Sequence, residues 1–443
     1  MIARGGGAAG RLAGVLEPLF RGDLPVRIVA WDGSCAGPFD GPALIIRSRK
    51  ALRRLLWNPG ELGLAQAYVT GEIDVEGDLV EGFRSVWNVA RSRNLGQVRL
   101  GPRELARAAA VAVRLGAIGP KPGPPSCQAR LDGTLHSRRR DRAAIAHHYD
   151  LSNAFYELVL DPQMAYSCGY WTSDAPDYTI EDAQRDKLDL ICQKLGLVPG
   201  MRFLDVGCGW GALILHAAEF YGVNATGVTI SAEQKAFVER RTVARGLAER
   251  VEVRLQDYRE IDDGPYDRVA SVEMGEHVGL ENYPTYTSNL FRVLKPEGRL
   301  LLQQMSRGTT APGGGAFIES YVAPDMHMRP LPQTLAMIED AGFELRDVHA
   351  LREHYAWTVK AWWDTLEANW DEAVALVGEE QARVWRLYLV GGMLTFEEGR
   401  MGVDQILAVR PSVRGASGMP SVRLGGVERD RGRSRDVERV NAG

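Results

Sequence analysis

Phe203-Leu204-Asp205-Val206-Gly207-Cys208-Gly209-Trp210-Gly211 runs from an apolar strand into a glycine-rich turn and then into an apolar helix. Glycines at 207, 209 and 211 permit positive φ and carry no Cβ to hold a ligand away. A helix starting near Gly211 adds unpaired N–H groups at the same place. A chain built this way brings its backbone up to a ligand; the competing reading is a tight αβ turn that binds nothing. The Gly-x-Gly-x-Gly spacing lacks the third glycine of the dinucleotide fingerprint and the Lys-Ser/Thr of a P-loop.

Outward from this turn, strand and helix patterns alternate from about residue 180, with strands predicted at 203–206, 225–229, 251–255, 268–272 and 299–303. That pattern predicts an α/β, doubly wound parallel sheet, whose ligands sit beyond the carboxyl ends of the strands. At the second strand end, Val228-Thr229-Ile230-Ser231-Ala232-Glu233-Gln234 gives a helix cap in Ser231. Thr229 and Gln234 there stand in for the carboxylate that usually meets a ribose. At the third, Gln256-Asp257-Tyr258 offers an acceptor and a flat ring suited to an adenine amino group and base. Three such clusters at successive strand ends point to one ligand. Between 345 and 409 a further strand precedes long helices whose Trp362, Trp363, Trp370, Trp385, Tyr388 and Phe396 read mostly as packing.

The 443 residues, 45% hydrophobic and 25% charged, suit two globular domains. A small N-terminal α+β domain is expected over 1–118, with a hairpin in 25–50 around Trp31-Asp32-Gly33-Ser34 and helices over 51–69 broken at Asn58-Pro59-Gly60. A linker follows over 119–139, opened by Gly119-Pro120-Lys121-Pro122-Gly123-Pro124-Pro125-Ser126. The second domain spans 140–410, and 411–443, rich in Arg, Gly and Ser, reads as a disordered tail. A net charge of −4 argues against a surface built for nucleic acid. Cysteines 35, 127, 168, 192 and 208 form no CxxC pair and suit a reducing, cytoplasmic compartment. No apolar run reaches a membrane-spanning length of roughly 18 residues, so any membrane contact is peripheral. Leu12, Val15, Leu16, Leu19 and Phe20 fall at helical spacing, which fits either a core helix or one lying on a membrane. The run Arg130, Arg138, Arg139, Arg140 and Arg142 fits a solvated face or attraction to anionic headgroups.

Segment 203–211 resembles the first motif of S-adenosylmethionine-dependent methyltransferases. His147-His148-Tyr149-Asp150-Leu151-Ser152-Asn153 and Met164-Ala165-Tyr166-Ser167-Cys168-Gly169-Tyr170-Trp171 are similar to the start of the catalytic domain in the cyclopropane-fatty-acyl-phospholipid synthase family, which includes the mycolic acid cyclopropane synthases. The likeness continues through 204–211, 228–234, Ser271-Val272-Glu273-Met274-Gly275-Glu276-His277-Val278-Gly279 and His354-Tyr355-Ala356-Trp357-Thr358, and covers roughly 140–409.

What the resemblance implies is a Rossmann-like methyltransferase sheet with helical insertions. Its cofactor is S-adenosylmethionine, no metal is implied, and a one-carbon unit goes to the cis double bond of a phospholipid acyl chain. It assigns cofactor binding to Tyr166, Ser167, Asp205, Gly207, Gly209, Thr229, Gln234, Asp257 and Tyr258. A bound bicarbonate serves the family as base, and the matching positions are Cys168, Glu276, Tyr355 and the backbone of Met305. Two departures stand out: Gln303 replaces a bicarbonate-binding His, and Gly391-Gly392 replaces a late cysteine. The loop Tyr321-Val322-Ala323-Pro324-Asp325-Met326-His327-Met328, also unusual, is expected to border the acyl tunnel.

With Gln303 the pattern resembles relatives that form a methylene branch rather than a ring. Methyl addition leaves a secondary cation, a 1,2-hydride shift makes it tertiary, and loss of a methyl proton gives an exocyclic methylene. Ring closure on the same substrate is the alternative product. The partners implied are an unsaturated phospholipid at the inner membrane surface and a separate reductase, with a homodimer left open as the assembly. A small-molecule methyltransferase and a non-catalytic lipid binder are the competing classes. A nucleic-acid methyltransferase is disfavoured by charge and by the lack of a base-flipping Asn/Asp-Pro-Pro-Tyr motif.

Overall fold

The computed structural model describes residues 6–95, 101–129, 140 and 153–420. A four-stranded sheet comes first, made of β1 (Arg27–Ala30), β2 (Cys35–Ala36), β3 (Ala43–Ile46) and β4 (Ile73–Glu76) in the order β2-β1-β3-β4. β1 and β2 form the expected hairpin, closed by Asp32, whose carboxylate accepts from the Ser34 N–H and hydroxyl and from the Ala8 N–H. The helices Arg49–Trp57 and Glu61–Val69 separate at Asn58-Pro59-Gly60, as their breaker residues predict. The helix Ala8–Leu19 buries Ala8, Ala9, Leu12 and Ala13, and its Leu16 faces an apolar cavity. It packs as a core helix.

The second sheet holds β5 (Arg202–Val206), β6 (Asn224–Thr229), β7 (Val251–Leu255), β8 (Tyr266–Val272), β9 (Leu294–Arg307), β10 (Glu344–Ala350) and β11 (Met401–Val409) in the order β10-β11-β9-β8-β5-β6-β7. All run parallel except β11, which inserts antiparallel between β9 and β10. The five predicted strands run parallel as expected, and the reversed β11 joins them as a strand the sequence did not mark. Residues 403–409 are buried on both faces, so β11 shows no alternation, and Asp404-Gln405 interrupts its apolar run. β9 also runs further than 299–303, and its extension carries Gln304, Met305 and Arg307 past the end of β8, still paired with β11.

The helix Glu379–Glu397 joins the two sheets. Its Arg383, 4% exposed, donates to the carbonyls of Tyr68 (2.7 Å) and Ile73 (3.0 Å), pairs with Asp74 at 3.2 Å, and lies 4.2 Å from the centre of the Tyr68 ring. Buried side chains of the N-terminal sheet, such as Ile28 and Tyr68, form one apolar cluster with Tyr355, Trp362 and Trp385. The Pro/Gly-rich segment lies against the helix Arg49–Trp57, whose Arg54 and Trp57 donate to the carbonyls of Gly123 and Gly119. Arg140 forms a bidentate pair with Asp325. Arg130, Arg138, Arg139, Arg142, the stretch 147–152 and the tail from 421 onward lie outside the described residues. No helix among the described residues is long and apolar enough to cross a membrane.

Candidate active site

The turn after β5 holds Gly207, Gly209 and Gly211 at φ of 82°, 53° and 81°. A Cβ on Gly207 would come within 2.7 Å of Met274, and one on Gly211 within 2.7 Å of Val238, whereas at Gly209 it would meet only open space. The turn is therefore closed against the protein on two sides and open toward a cavity. Tyr166, Ser167, Asp205, Gly207, Gly209, Thr229, Gln234, Asp257 and Tyr258 all line that one cavity. Carboxyl ends of β5, β6 and β7 supply seven of them, as the sheet's geometry requires.

Local hydrogen bonds set what each group can offer. The Thr229 hydroxyl donates to the Gln234 carbonyl oxygen at 2.7 Å, which leaves the Gln234 amide N–H groups as donors. Asp257 is turned onto Arg259, which it binds through both carboxylate oxygens. Lys187, fully enclosed, reaches the Ser167 hydroxyl at 2.9 Å, and burial pushes its ammonium pKa down. Asp205 is 3% exposed with Oδ1 lacking a partner; burial lifts its carboxyl to about 7, against the pull of Lys187. An orphaned acidic oxygen, a glycine cradle and an amide at the second strand end fit S-adenosylmethionine, whose amino acid portion and ribose need such partners.

A second cluster stands beside the first, on Glu273, the residue that follows β8. Its Oε1 accepts from the Cys168 N–H (2.8 Å) and from the Gln303 amide (2.8 Å), and its Oε2 accepts from the Tyr355 hydroxyl (2.6 Å). Gln303 is oriented in turn by Gln405 on β11, whose amide donates to the Gln303 carbonyl oxygen at 3.0 Å. Cys168, Gln303 and Tyr355, read as holders of a bicarbonate, thus converge on a carboxylate of the chain itself. Glu273 holds a φ of 50°, a backbone conformation uncommon outside glycine and found where function demands it. Burial pushes its carboxyl up, while Tyr355, Cys168, Gln303 and the charge of Lys187 oppose the rise. Glu273 lines both the glycine-turn cavity and a second, apolar cavity of about 760 Å³. Tyr166, Tyr355 and Met305 also border the second cavity, as do Val322, Ala323, Met326 and Met328 of the unusual loop.

Glu276 lies apart from this cluster. Wholly buried, it accepts from the Met305 N–H, and neither cavity wall includes it. Burial and the charge of Glu273 lift its carboxyl from 4.5 to about 8. The folded chain therefore holds this proton more tightly than the unfolded chain, and the stability it brings is complete below about pH 4.5 and lost as pH rises through about 8. Glu276→Gln has no such proton to lose. Thermal melts at pH 5 and pH 8.5 are expected to show the wild type losing ground to this variant; a constant gap would contradict the placement.

Glu273, Lys187 and Gln405 escaped the sequence reading. Glu273 carried a usable signal, since it stands at a strand's carboxyl end, where this sheet puts ligand-facing groups. Lys187 and Gln405 carried none: a mid-helix lysine reads as solvated, and a glutamine in an unrecognised strand has no face.

The sheet order, the reversed strand and the glycine-turn cavity define an S-adenosylmethionine-dependent methyltransferase. A model described as mycolic acid cyclopropane synthetase matches residues 136–406, and the chain belongs to that family. It is 37% identical over 412 residues to a probable fatty acid methyltransferase of Pseudomonas putida, covering 90% of this chain and 95% of that one. With the cyclopropane-fatty-acyl-phospholipid synthase of Escherichia coli it shares 40% over 255 residues, or 58% of this chain and 64% of that one. The crystal structure of mycolic acid cyclopropane synthase CmaA1 complexed with SAH and CTAB superposes with a TM-score of 0.57 at 34% identity, over 60% of this chain and 97% of that one.

Proposed function

We propose that the chain transfers a one-carbon unit to the cis double bond of an unsaturated phospholipid acyl chain, oleoyl in type, and forms a methylene branch with Glu273 as the base. The observation that carries this reading is the Glu273 carboxylate in the wall shared by the cofactor cavity and the apolar cavity. S-adenosylmethionine supplies an electrophilic methyl group when bound. The double bond is a weak nucleophile, so the protein's contribution is alignment and exclusion of water.

Addition of the methyl to one alkene carbon leaves a positive charge on its neighbour. Tyr166, Tyr355 and Phe396 are among the residues lining that space, and aromatic rings favour a nearby cation. After a 1,2-hydride shift, a C–H bond of the new methyl breaks, its electron pair closes the exocyclic double bond, and its proton passes to Glu273. With Tyr355, Cys168 and Gln303 all spent on Glu273, the anion that the family takes from solution is here a side chain. Glu276 then serves to hold the Met305 end of β9 in place. A relative similar over 95% of its length carries the name probable fatty acid methyltransferase, which supports methyl transfer to a fatty acyl chain. Action on phospholipid places the chain at the inner membrane surface, and a separate reductase would saturate the methylene.

The test is incubation of the full chain with S-adenosylmethionine and oleoyl phospholipid vesicles, followed by fragmentation mass spectrometry and proton NMR of the released fatty acids. Vinylidene protons of an exocyclic methylene are expected. Upfield ring protons as the sole signal would overturn the product, and transfer only to soluble acceptors would overturn the substrate.

A further inference from the structure

Methyl transfer leaves the N-terminal sheet and its helices without a task, yet the apolar cavity runs from Glu273 and Tyr355 into that unit. Its inner wall there includes Leu24, Ile28, Tyr68 and Ile73, each at most 6% exposed. We propose that the N-terminal unit is the receptacle for the methyl-terminal part of the substrate's hydrocarbon tail, which lies across Gly391 and Gly392 on its way in. The inner wall then sets how much chain can stand beyond the reacting carbons. This deepens the acyl-chain reading and rests on it.

Size is the first argument. Packed interiors hold few voids larger than a water molecule, and a cavity of about 760 Å³ falls within the range of small-molecule sites. Side chains lining an apolar space of that size gain dispersion contacts from an apolar occupant.

Independent support comes from the two glycines. They sit inside the 19-residue helix Glu379–Glu397, where glycine is the poorest choice short of proline. A Cβ on Gly391 would meet no atom within 4 Å, and one on Gly392 only Val359 at 3.8 Å. Nothing in the protein itself excludes a side chain there. With Tyr388 and Thr395 they fall at i, i+3, i+4 and i+7, one helix face along the cavity. A ligand passing over that face accounts for both.

Charge decides which part of the lipid goes in. Of the charged groups that line the cavity, Glu273 stands beside Tyr355 at the glycine-turn end, Glu61 and Arg400 are exposed and Arg307 is half-buried. The inner wall is apolar, and only the hydrocarbon end of a lipid can be buried there without losing polar partners.

The experiment uses the purified full chain and cis-parinaric acid, an 18-carbon fluorescent fatty acid, as the binding probe. Gly391→Leu, which fills the path, and Val75→Phe, at a β4 residue that lines the cavity beside Ile73, are each expected to weaken probe binding at least tenfold while S-adenosylmethionine affinity stays unchanged. Turnover in both should shift toward shorter unsaturated chains. Should Val75→Phe fail to fold, Gly391→Leu decides alone, since its new side chain enters open space. Wild-type probe affinity in the folded variants, or no binding to the wild type, overturns the tail site. Weakened binding in the variants with no methylation of oleoyl lipid by the wild type leaves the tail site standing and removes the reaction assigned above.

Discussion

Glu273→Gln is expected to slow methyl-branch formation by about 10²–10⁴-fold, the range that a positioned general base contributes. The amide keeps the size of the side chain and can still meet part of the Cys168, Gln303 and Tyr355 donor set, but it cannot receive a proton. S-adenosylmethionine affinity should change little, because the glycine turn, Asp205 and Gln234 are untouched. Folding should survive as well, since the substitution removes a buried carboxylate whose ionisation burial already opposes. Glu276→Gln, measured alongside at pH 7, is expected to retain turnover within about tenfold, because it alters the support of Met305 and leaves the base in place. A companion variant sharpens the comparison. Glu273→Gly suits the positive φ at this position and leaves the three donors facing an open space. Added bicarbonate should then restore part of the lost activity. Equal rates of S-adenosylhomocysteine release for the wild type and Glu273→Gln would remove Glu273 from the chemistry.

The largest expected effect on stability belongs to Arg383→Met. This guanidinium sits between the helix Glu379–Glu397 and the segment joining Tyr68 to β4, with carbonyls, a carboxylate and a ring all turned toward it. Methionine keeps the apolar stem but strands the carbonyls of Tyr68 and Ile73 and takes a partner from Asp74. Breaking a buried pair in this way costs about 3–5 kcal/mol. A melting temperature lower by roughly 5–15 °C is expected. Proteolysis should fall first on the N-terminal unit, because the pin that is lost is the one fastening it. An unchanged melting temperature would show that the apolar cluster alone holds the two parts together.

Most of what could be read in advance was local. The turn 203–211 states its own conformation through its glycines, and the clusters at 229–234 and 256–258 follow from strand ends that the apolar runs mark. All nine positions expected to meet the cofactor line one cavity, because a doubly wound sheet brings its carboxyl ends together, whatever lies between them. The focus of the second cluster was a different kind of fact. Cys168, Gln303 and Tyr355 come from three distant parts of the chain, and which side chain their donors share is decided only when those parts pack. β11 stayed hidden for a physical reason too: a strand buried on both faces between two others has no period to show, and it carries Gln405, which orients Gln303. The glycines at 391 and 392 could be read only as a missing thiol until the open space above them was seen.

That Glu273 supplies the base is the central claim, and its most direct measurement is the initial rate of the wild-type chain on oleoyl phospholipid vesicles in carbon-dioxide-free buffer, with and without added bicarbonate. The same rate in both is predicted, since the donors that would hold an external anion are already bound to Glu273. A rate that collapses without bicarbonate and returns on its addition would contradict the account.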